Sequence, residues 1–574
     1  MLRDAINRKY AVLFLSIAAL GCICISEASA AVQVPSSTGP GLVEKRLTKT
    51  PKAAPKVDLN VPAGEDQQKE VPEKERAQLS SQKFPLKKVV FDGATVYTNA
   101  ELEPLYQDKI GKTVSLLDAK IIANQVTAFY RNNGYILSQA IVPPQDVTKG
   151  TLKIRVVEGF ISKVTYQGDV EAEGIREHLD KYSASIKAQR PTNLNELERY
   201  MLIMNDLPGS TVTGLIHPSA SQFAGADLVL TVRNKKYEGS YTFDNRGTQY
   251  IGPFQHTLMA GVNSMINTYD HTQVRFMTVN PMRELFLAEV QHDEMLDNEG
   301  TKLTVLASHT QTRPGDTLKN LRIEGNSDLF ELKISHPFER TRKQSFVVRG
   351  IVDVRNTYVD VYSGTSLNRD RLRVVRAGGT YGFLDVLRGS NSFDAMLSEG
   401  FNIFDATDTG SDRSNAIGSS NFTKINVDLS RLQPLKGGFS LFVGATGQYS
   451  FNPLLTDEQF TLGGADYGRS FDPAQVMGDS GIAGKAEIRY DEFVSELYFE
   501  SYQLFGYADV GEAWTRGAAN SDLSMASAGV GSRFKFTENF YGTLEAAFPL
   551  MWPKPDTTDY RSNPRVFFSL TAKY

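Results

Sequence analysis

From about residue 237 to residue 574 the sequence alternates. Phe330, Leu332 and Ile334 interleave with Glu331, Lys333 and Ser335. Phe346, Val348, Val352 and Val354 share a stretch with Arg349, Asp353 and Arg355. The same holds for Ile425, Val427 and Leu429 against Asn426, Asp428 and Ser430, and for Leu441, Val443, Ala445 and Tyr449 against Thr446, Gln448 and Ser450. At the end of the chain Val566, Phe568, Leu570, Ala572 and Tyr574 alternate with Arg565, Ser569, Thr571 and Lys573. Side chains of a strand point to opposite faces with period 2, so these segments carry one apolar and one polar or charged face. A soluble β-sandwich could place the charged residues on its outer face. A transmembrane barrel with a wet lumen needs the same pattern on every strand. In lipid an open sheet edge leaves backbone groups unpaired, so such a sheet must close. About 338 residues at roughly 21 per strand and connection give about 16 strands. The aromatic residues of the last segment, Phe568 and Tyr574, fit the terminal strand of such a barrel.

The N-terminus agrees with this compartment. Arg3, Arg8 and Lys9 precede an apolar run from Tyr10 to about Ile25, and Ala28-Ser29-Ala30 follows. A basic start, a short apolar core and a small-x-small exit predict a secretory signal peptide over residues 1–30. Both cysteines, Cys22 and Cys24, lie within it. The mature chain therefore needs no disulfide framework in an oxidising compartment and offers no Cys-based metal site. No later run reaches the length of about 18 apolar residues that a membrane helix requires. The chain has 62 Lys+Arg against 66 Asp+Glu, a net charge of −4, which excludes a basic nucleic-acid binder. No Walker A pattern and no His-Glu-x-x-His appear, and Asp479-Ser480-Gly481 lacks the flanking pattern of a serine nucleophile, so no catalytic residues, cofactor or metal are assigned.

Between leader and barrel the chain divides three ways. Residues 31–83 are rich in Pro, Lys, Glu and Gln and read as a linker. Within it Leu42, Val43 and Leu47 are spaced for one helical face, so residues 41–47 are a short helix that needs a surface to pack on. Residues 84–158 read as one β-α-α-β-β domain: a strand at Lys88–Asp92, a helix over 99–108 capped by Thr98 and Glu101, a helix at Leu116–Asn132, and strands at Tyr135–Val142 and Thr151–Val157. Residues 159–235 repeat the order, with strands at Ile161–Tyr166, Thr211–Ile216 and Leu228–Val232, a helical stretch over about 171–182, and a helix bearing Leu197, Met201 and Met204 behind Asn193. The barrel then occupies 236–574.

These segments carry motifs that resemble the two-partner secretion transporters of the haemolysin secretion/activation family, within the POTRA-barrel superfamily. Tyr130-Arg131-Asn132-Asn133-Gly134-Tyr135 and Val156-Val157-Glu158-Gly159 are similar to its POTRA module. Asp244-Asn245-Arg246-Gly247, His336-Pro337-Phe338 followed by Arg340, Arg342 and Gln344, and Ser527-Ala528-Gly529-Val530-Gly531 are similar to stretches of its barrel. The most specific match is Leu462-Gly463-Gly464 leading to Gly468, Arg469, Ser470 and Phe471, then Gly478 and Asp479. The family usually has Gly where this chain has Ser470. Tyr507-Ala508-Asp509-Val510-Gly511 resembles its aromatic-x-Asp-x-Gly strand. The resemblance implies a mainly β fold, an outer-membrane barrel behind two periplasmic POTRA domains. It implies a long extracellular loop folded back into the lumen and an Arg469–Asp509 contact, which a guanidinium and a carboxylate could make through two parallel hydrogen bonds. It further implies a pore that takes an unfolded exoprotein of adhesin or cytolysin class from the periplasm to the surface. The expected partners are that client, outer-membrane lipid and, during biogenesis, the barrel assembly machinery. The 41–47 helix and the inserted loop are the candidates for plugging the pore. An assembly factor that inserts barrels shares the loop motif and is the alternative; a plain porin would not need the N-terminal domains.

Overall fold

A computed structural model describes residues 34–48, 78–171, 174–408, 410, 412–496, 499–517, 522–552 and 564–574. The leader expected at 1–30 and residues 49–77 of the linker lie outside the described residues. Helix α1, Pro40–Thr48, includes the stretch 41–47.

The first module is organised by the helix with the longest apolar stripe. Strands β1 (Lys83–Pro85) and β2 (Lys88–Asp92) precede the short helix α2 (Asn99–Leu102), strand β3 (Thr113–Ser115) and helix α3 (Leu116–Asn132), followed by β4 (Gln139–Ile141) and β5 (Thr151–Val157). Ala119, Ile122, Ala123, Val126 and Tyr130 of α3 pack on Leu152, Ile154 and Val156 of β5. Ser115 and Asp118 cap α3 reciprocally: Asp118 N–H donates to Ser115 Oγ at 3.1 Å and Ser115 N–H to Asp118 Oδ2 at 2.9 Å. The sheet has the order β2-β5-β4, with β2 parallel and β4 antiparallel to β5. Two elements are shorter than the sequence predicts. The helix over 99–108 stops at Leu102 because Pro104 has no N–H to continue it, and the chain goes on in 3-10 turns. The strand predicted over Tyr135–Val142 is confined to Gln139–Ile141. Tyr135 instead turns its ring toward Tyr130 and Tyr97.

The second module repeats the plan with β6 (Phe160–Gly168), α4 (Ile175–Ala188), α5 (Leu194–Asn205), β7 (Ser210–Pro218) and β8 (Gly225–Asn234). Its sheet order is β6-β8-β7, again one parallel and one antiparallel pair. The helix expected over 171–182 starts later, after Gly174, whose φ of 80° is outside the helical region. Asn193 caps α5 by accepting from Asn195 N–H at 2.9 Å.

The barrel strands are β9 (Tyr237–Asp244), β10 (Gln255–Asn263), β11 (His271–Val279), β12 (Leu285–Met295), β13 (Lys302–Thr312), β14 (Glu324–Arg340), β15 (Gln344–Val361), β16 (Thr365–Leu384), β17 (Ser390–Gly400), β18 (Thr423–Pro434) and β19 (Phe439–Ser450). A hairpin, β20 (Phe460–Leu462) with β21 (Val476–Gly478), interrupts the series. Then come β22 (Ser480–Glu496), β23 (Phe499–Trp514), β24 (Leu523–Thr537), β25 (Phe540–Met551) and β26 (Arg565–Lys573). Sixteen of these strands form one closed antiparallel barrel, with β26 pairing back onto β9 from Ser569↔Asp244 to Lys573↔Ser240. The barrel is inside-out. Phe330, Leu332 and Ile334 are 40–49% exposed on its outer wall. Asp353, Asp394, Lys424, Glu487, Asp509 and Glu545 are buried in its interior. Among the described residues no helix is long and apolar enough to cross a membrane; crossing falls to the strands.

Candidate functional site

The segment 451–479, between β19 and β22, folds inward and meets the barrel wall at both ends. Asp479 fixes its return. The Oδ1 atom accepts from Leu454 N–H (3.0 Å) and Gln459 Nε2 (3.1 Å), and Oδ2 accepts from Arg516 N–H (2.9 Å). Gly478 allows close approach to the opposite strand: a Cβ there would sit 2.7 Å from the Trp514 backbone. At the tip, Phe471 meets Trp552 edge-on at 5.0 Å and packs with Leu462, Val476 and Met525. Phe471 N–H donates to Gly468 O at 2.9 Å, closing a turn over Arg469 and Ser470. The left-handed backbone that glycine tolerates occurs at Gly463, Gly464 and Gly468, with φ of 103°, 91° and 73°, and not at Ser470. That explains why Ser is accommodated where the family usually has Gly. The Ser470 hydroxyl is buried and has no hydrogen-bond partner among the described residues.

Arg469 projects from this turn into the lumen wall. Its guanidinium lies 3.8 Å from the centre of the Tyr507 ring. Gly529 makes room for that ring, since a Cβ there would come within 2.6 Å of it. Arg469 Nη1 donates to Glu487 Oε2 at 3.0 Å. Asp509 is the more distant carboxylate: Nε and Oδ2 are 3.8 Å apart, beyond hydrogen-bond length. The two parallel bonds conceivable for Arg469 and Asp509 are therefore absent. Asp509 Oδ1 instead accepts from Gly468 N–H at 2.7 Å and Ser527 Oγ at 2.6 Å, so it holds the turn that carries Arg469. Glu487, which the motifs do not single out, is the hub. It also accepts from Arg489 Nε at 2.7 Å and pairs with Arg533 Nη2 at 2.9 Å. Its only sequence signal was a charged residue on the polar face of an alternating strand, one among many.

Helix α1 lies inside the barrel against the same loop. Val43 packs on Ile251, Met277, Val279, Leu285 and Leu287. Glu44 is fully buried; it accepts from Arg355 Nη1 at 2.7 Å, from Ser327 Oγ at 3.1 Å and from Ser308. Gly41 abuts the Asp457 carboxylate, where any Cβ would collide. Lys45 Nζ donates to Asp457 O at 3.2 Å, and Ser36 Oγ to Ala474 O at 2.6 Å. The next residue, Glu458, anchors this end of the loop to the wall through Arg376 (2.7 Å) and Lys424 (2.6 Å).

At the opposite rim the barrel seats the second module. Arg340 forms two 2.7 Å bonds with Asp206, Arg342 lies 3.5 Å from Glu198, and Arg199 pairs with Glu299 at 2.8 Å. Tyr269, in the turn between β10 and β11, is buried in the core of that module. The basic residues after His336-Pro337-Phe338 are thus half of a domain seat. Asp270, His292 and Glu294 bring potential ligand atoms within 4.8 Å of one another. The Asp270 carboxylate already accepts from the N–H groups of Met265, Ile266 and Asn267, which accounts for its burial.

The remaining motif residues lie at the seam. The Asn245 side chain donates to Val566 O at 2.9 Å and accepts from Phe568 N–H at 2.8 Å, bridging β9 and β26 where their ladder has ended. Phe568 packs on Phe243 at 5.3 Å. Tyr574 is 75% exposed, and its N–H donates to Gly239 O at 2.8 Å.

Comparison with known proteins agrees with this architecture. Residues 84–159 match the POTRA domain, ShlB-type, and residues 297–534 match the haemolysin secretion/activation protein ShlB/FhaC/HecB. The heme/hemopexin transporter protein HuxB of Haemophilus influenzae is 26% identical over 491 residues, covering 82% of this chain and 84% of that one. The outer membrane transporter CdiB of Dickeya dadantii is 22% identical, covering 71% and 72%. The structure of CdiB from Escherichia coli superposes with a TM-score of 0.72 at 19% identity, covering 94% of this chain and 96% of that one. The chain belongs to the haemolysin secretion/activation family of two-partner secretion outer-membrane transporters.

Proposed function

We propose that this protein recognises an unfolded partner exoprotein in the periplasm and passes it through the barrel to the cell surface. The observation that carries the reading is the lumen itself. It is lined with buried, paired charges and holds two elements, α1 and the 451–479 loop, that are packed on the wall and not part of it. The modules supply the docking function. Each sheet has an edge strand, β4 in the first and β7 in the second, able to accept an extended client by main-chain pairing, which gives affinity with little demand on sequence. The client is a large secreted protein of adhesin or cytolysin class. Folding of the client outside supplies direction, as the likeness to two-partner secretion transporters implies.

Docking and conduction can be tested apart. Deleting residues 84–158 removes the first module with the barrel intact. Client binding to the purified protein should be abolished while heat-modifiable migration of the barrel is kept. Undiminished binding would eliminate the module as the docking site.

A further inference from the structure

The outer end of β16 carries a feature that transport does not use. Even-numbered residues of this strand face the lumen, where Leu372 and Val374 pack with Phe422, Leu454 and Leu455, and Arg376 pairs with Asp353 and Glu458. Odd-numbered residues face outward. Val375 is 44% exposed on that wall, and above it stand Arg373, Arg371 and Arg369 at successive outward positions. Register sets their height. Arg373 is opposite Val354, which is opposite Phe330, so it stands in the last apolar row. Arg371 is level with Asn356 and Asp328, and Arg369 with Tyr358 and Asn326, where the wall has turned polar. Two residues of strand rise about 7 Å, so the three guanidiniums span the border between hydrocarbon and headgroups.

Their bonding is unequal. Arg369 pairs with Asp360 and lies over the Tyr358 ring at 5.3 Å. Arg371 pairs with Asp405, a carboxylate that is 84% exposed. Arg373 donates through Nη1 to three neutral oxygens, Leu372 O (2.7 Å), Asn356 Oδ1 (3.0 Å) and Arg355 O (3.2 Å). Among the described residues no carboxylate pairs with it. Beside the arginines runs the segment 401–407, held by Phe401 N–H to Arg373 O (2.9 Å) and Thr407 N–H to Arg371 O (3.0 Å). It displays Phe401, Ile403 and Phe404 at 39%, 49% and 81% exposure. Phe404 and Asp405 have φ of 49° and 63°, a conformation unfavourable for a bulky residue, so the turn holds the ring outward at a cost.

We propose that this patch binds a phosphorylated glycolipid of the outer leaflet. Arg373, Arg371 and Arg369 contact its phosphates, and the exposed side chains of 401–404 lie against the lipid beside them. Guanidinium suits phosphate because it offers paired N–H donors in one plane. The apolar rows directly below Arg373 select a lipid over a soluble anion. Asp405 is the exposed counter-ion that a phosphate would displace from Arg371.

The test uses the full-length protein in detergent, offered bis-phosphorylated lipid A, the same glycolipid without phosphates, or phosphatidylethanolamine, with bound lipid read by native mass spectrometry. The wild type should retain the bis-phosphorylated lipid about tenfold better than the other two, and the R369Q/R371Q/R373Q variant should lose that preference. Arg373→Gln alone leaves the Asp360 and Asp405 pairs untouched and should still lower retention about threefold if the triple variant fails to fold. Equal retention of all three lipids by the wild type, or an unchanged preference in Arg373→Gln, overturns the proposal. Complete displacement by inorganic phosphate at equal concentration does so too, because it reduces the patch to an anion site.

Discussion

Arg469 shows how far motif reading reaches at the level of single residues. The sequence marked the arginine, its turn and the aspartate opposite. It could not rank the carboxylates, because Glu487 lies on a strand where charged residues recur with period 2 and none stands out. The ranking comes from cross-strand geometry, which places Glu487 and Asp509 on neighbouring strands two register positions apart. The two acids are expected to behave differently. Arg469→Ala leaves Glu487 with Arg489 and Arg533 and should preserve the folded barrel while reducing client secretion severalfold, measured in culture supernatants. Arg469→Lys should not restore it, since an ammonium cannot both stack on Tyr507 and reach Glu487 in the same way; full secretion by the lysine variant would refute this role for the guanidinium. Asp118 in the first module gives a pH prediction of definite sign. Backbone and side-chain bonds from Ser115, with Lys109, hold its carboxyl down at about 2. A depressed value means that the cap stabilises the module above the ordinary carboxylate range, and that this is lost as the pH falls toward 2. Asp118→Asn should cost about 1 kcal/mol at neutral pH, as loss of a helix cap does, and should flatten the acid limb of a thermal unfolding series.

At the level of elements, legibility followed length and period. Helix α3 was read with its observed bounds because seventeen residues carry one continuous stripe. Helix α2 was overestimated because a capping box announces a start and says nothing of the stop that Pro104 imposes. Helix α1 was legible as a helix, but its surroundings were not. Glu44, between Val43 and Lys45, is buried under two serines and Arg355, partners 264 to 311 residues away that no local pattern reveals. An anchored helix of nine residues depends on such contacts, being too short to persist alone. Glu44→Ala strips Arg355 of its carboxylate in the lumen, a loss of about 3–5 kcal/mol for a fully buried pair and less where water reaches. Planar-bilayer recordings of that variant should show higher and noisier conductance than the wild type. Gly41→Leu, which drives a side chain into Asp457, should do the same by a different route. Silent bilayers from both would mean that α1 does not seal the pore.

At the level of the whole molecule, sequence alone supported the barrel, its strand number and the repeat of two modules. It could not supply the seat that joins them. Arg340 and Arg342 are visible in the sequence, but their partners Asp206 and Glu198 lie in another domain, and nothing in either strand or helix period pairs them. Exchanging the charges tests the seat directly. Arg340→Asp alone should impair secretion with client binding retained, and adding Asp206→Arg should recover most of it. A double variant as poor as the single one would show that the pair does not position the module.

The long-range contacts of α1 and the residues before it bear on how such a molecule can be made. Ser36 and Lys45 are fastened to Ala474 and Asp457, more than four hundred residues downstream. A ribosome finishes the helix long before it reaches the loop, and a barrel still lacking its last strands offers the helix no complete cradle. These contacts can therefore form only once residues 457–474 are in place, so α1 settles late in assembly, after most of the chain it rests on.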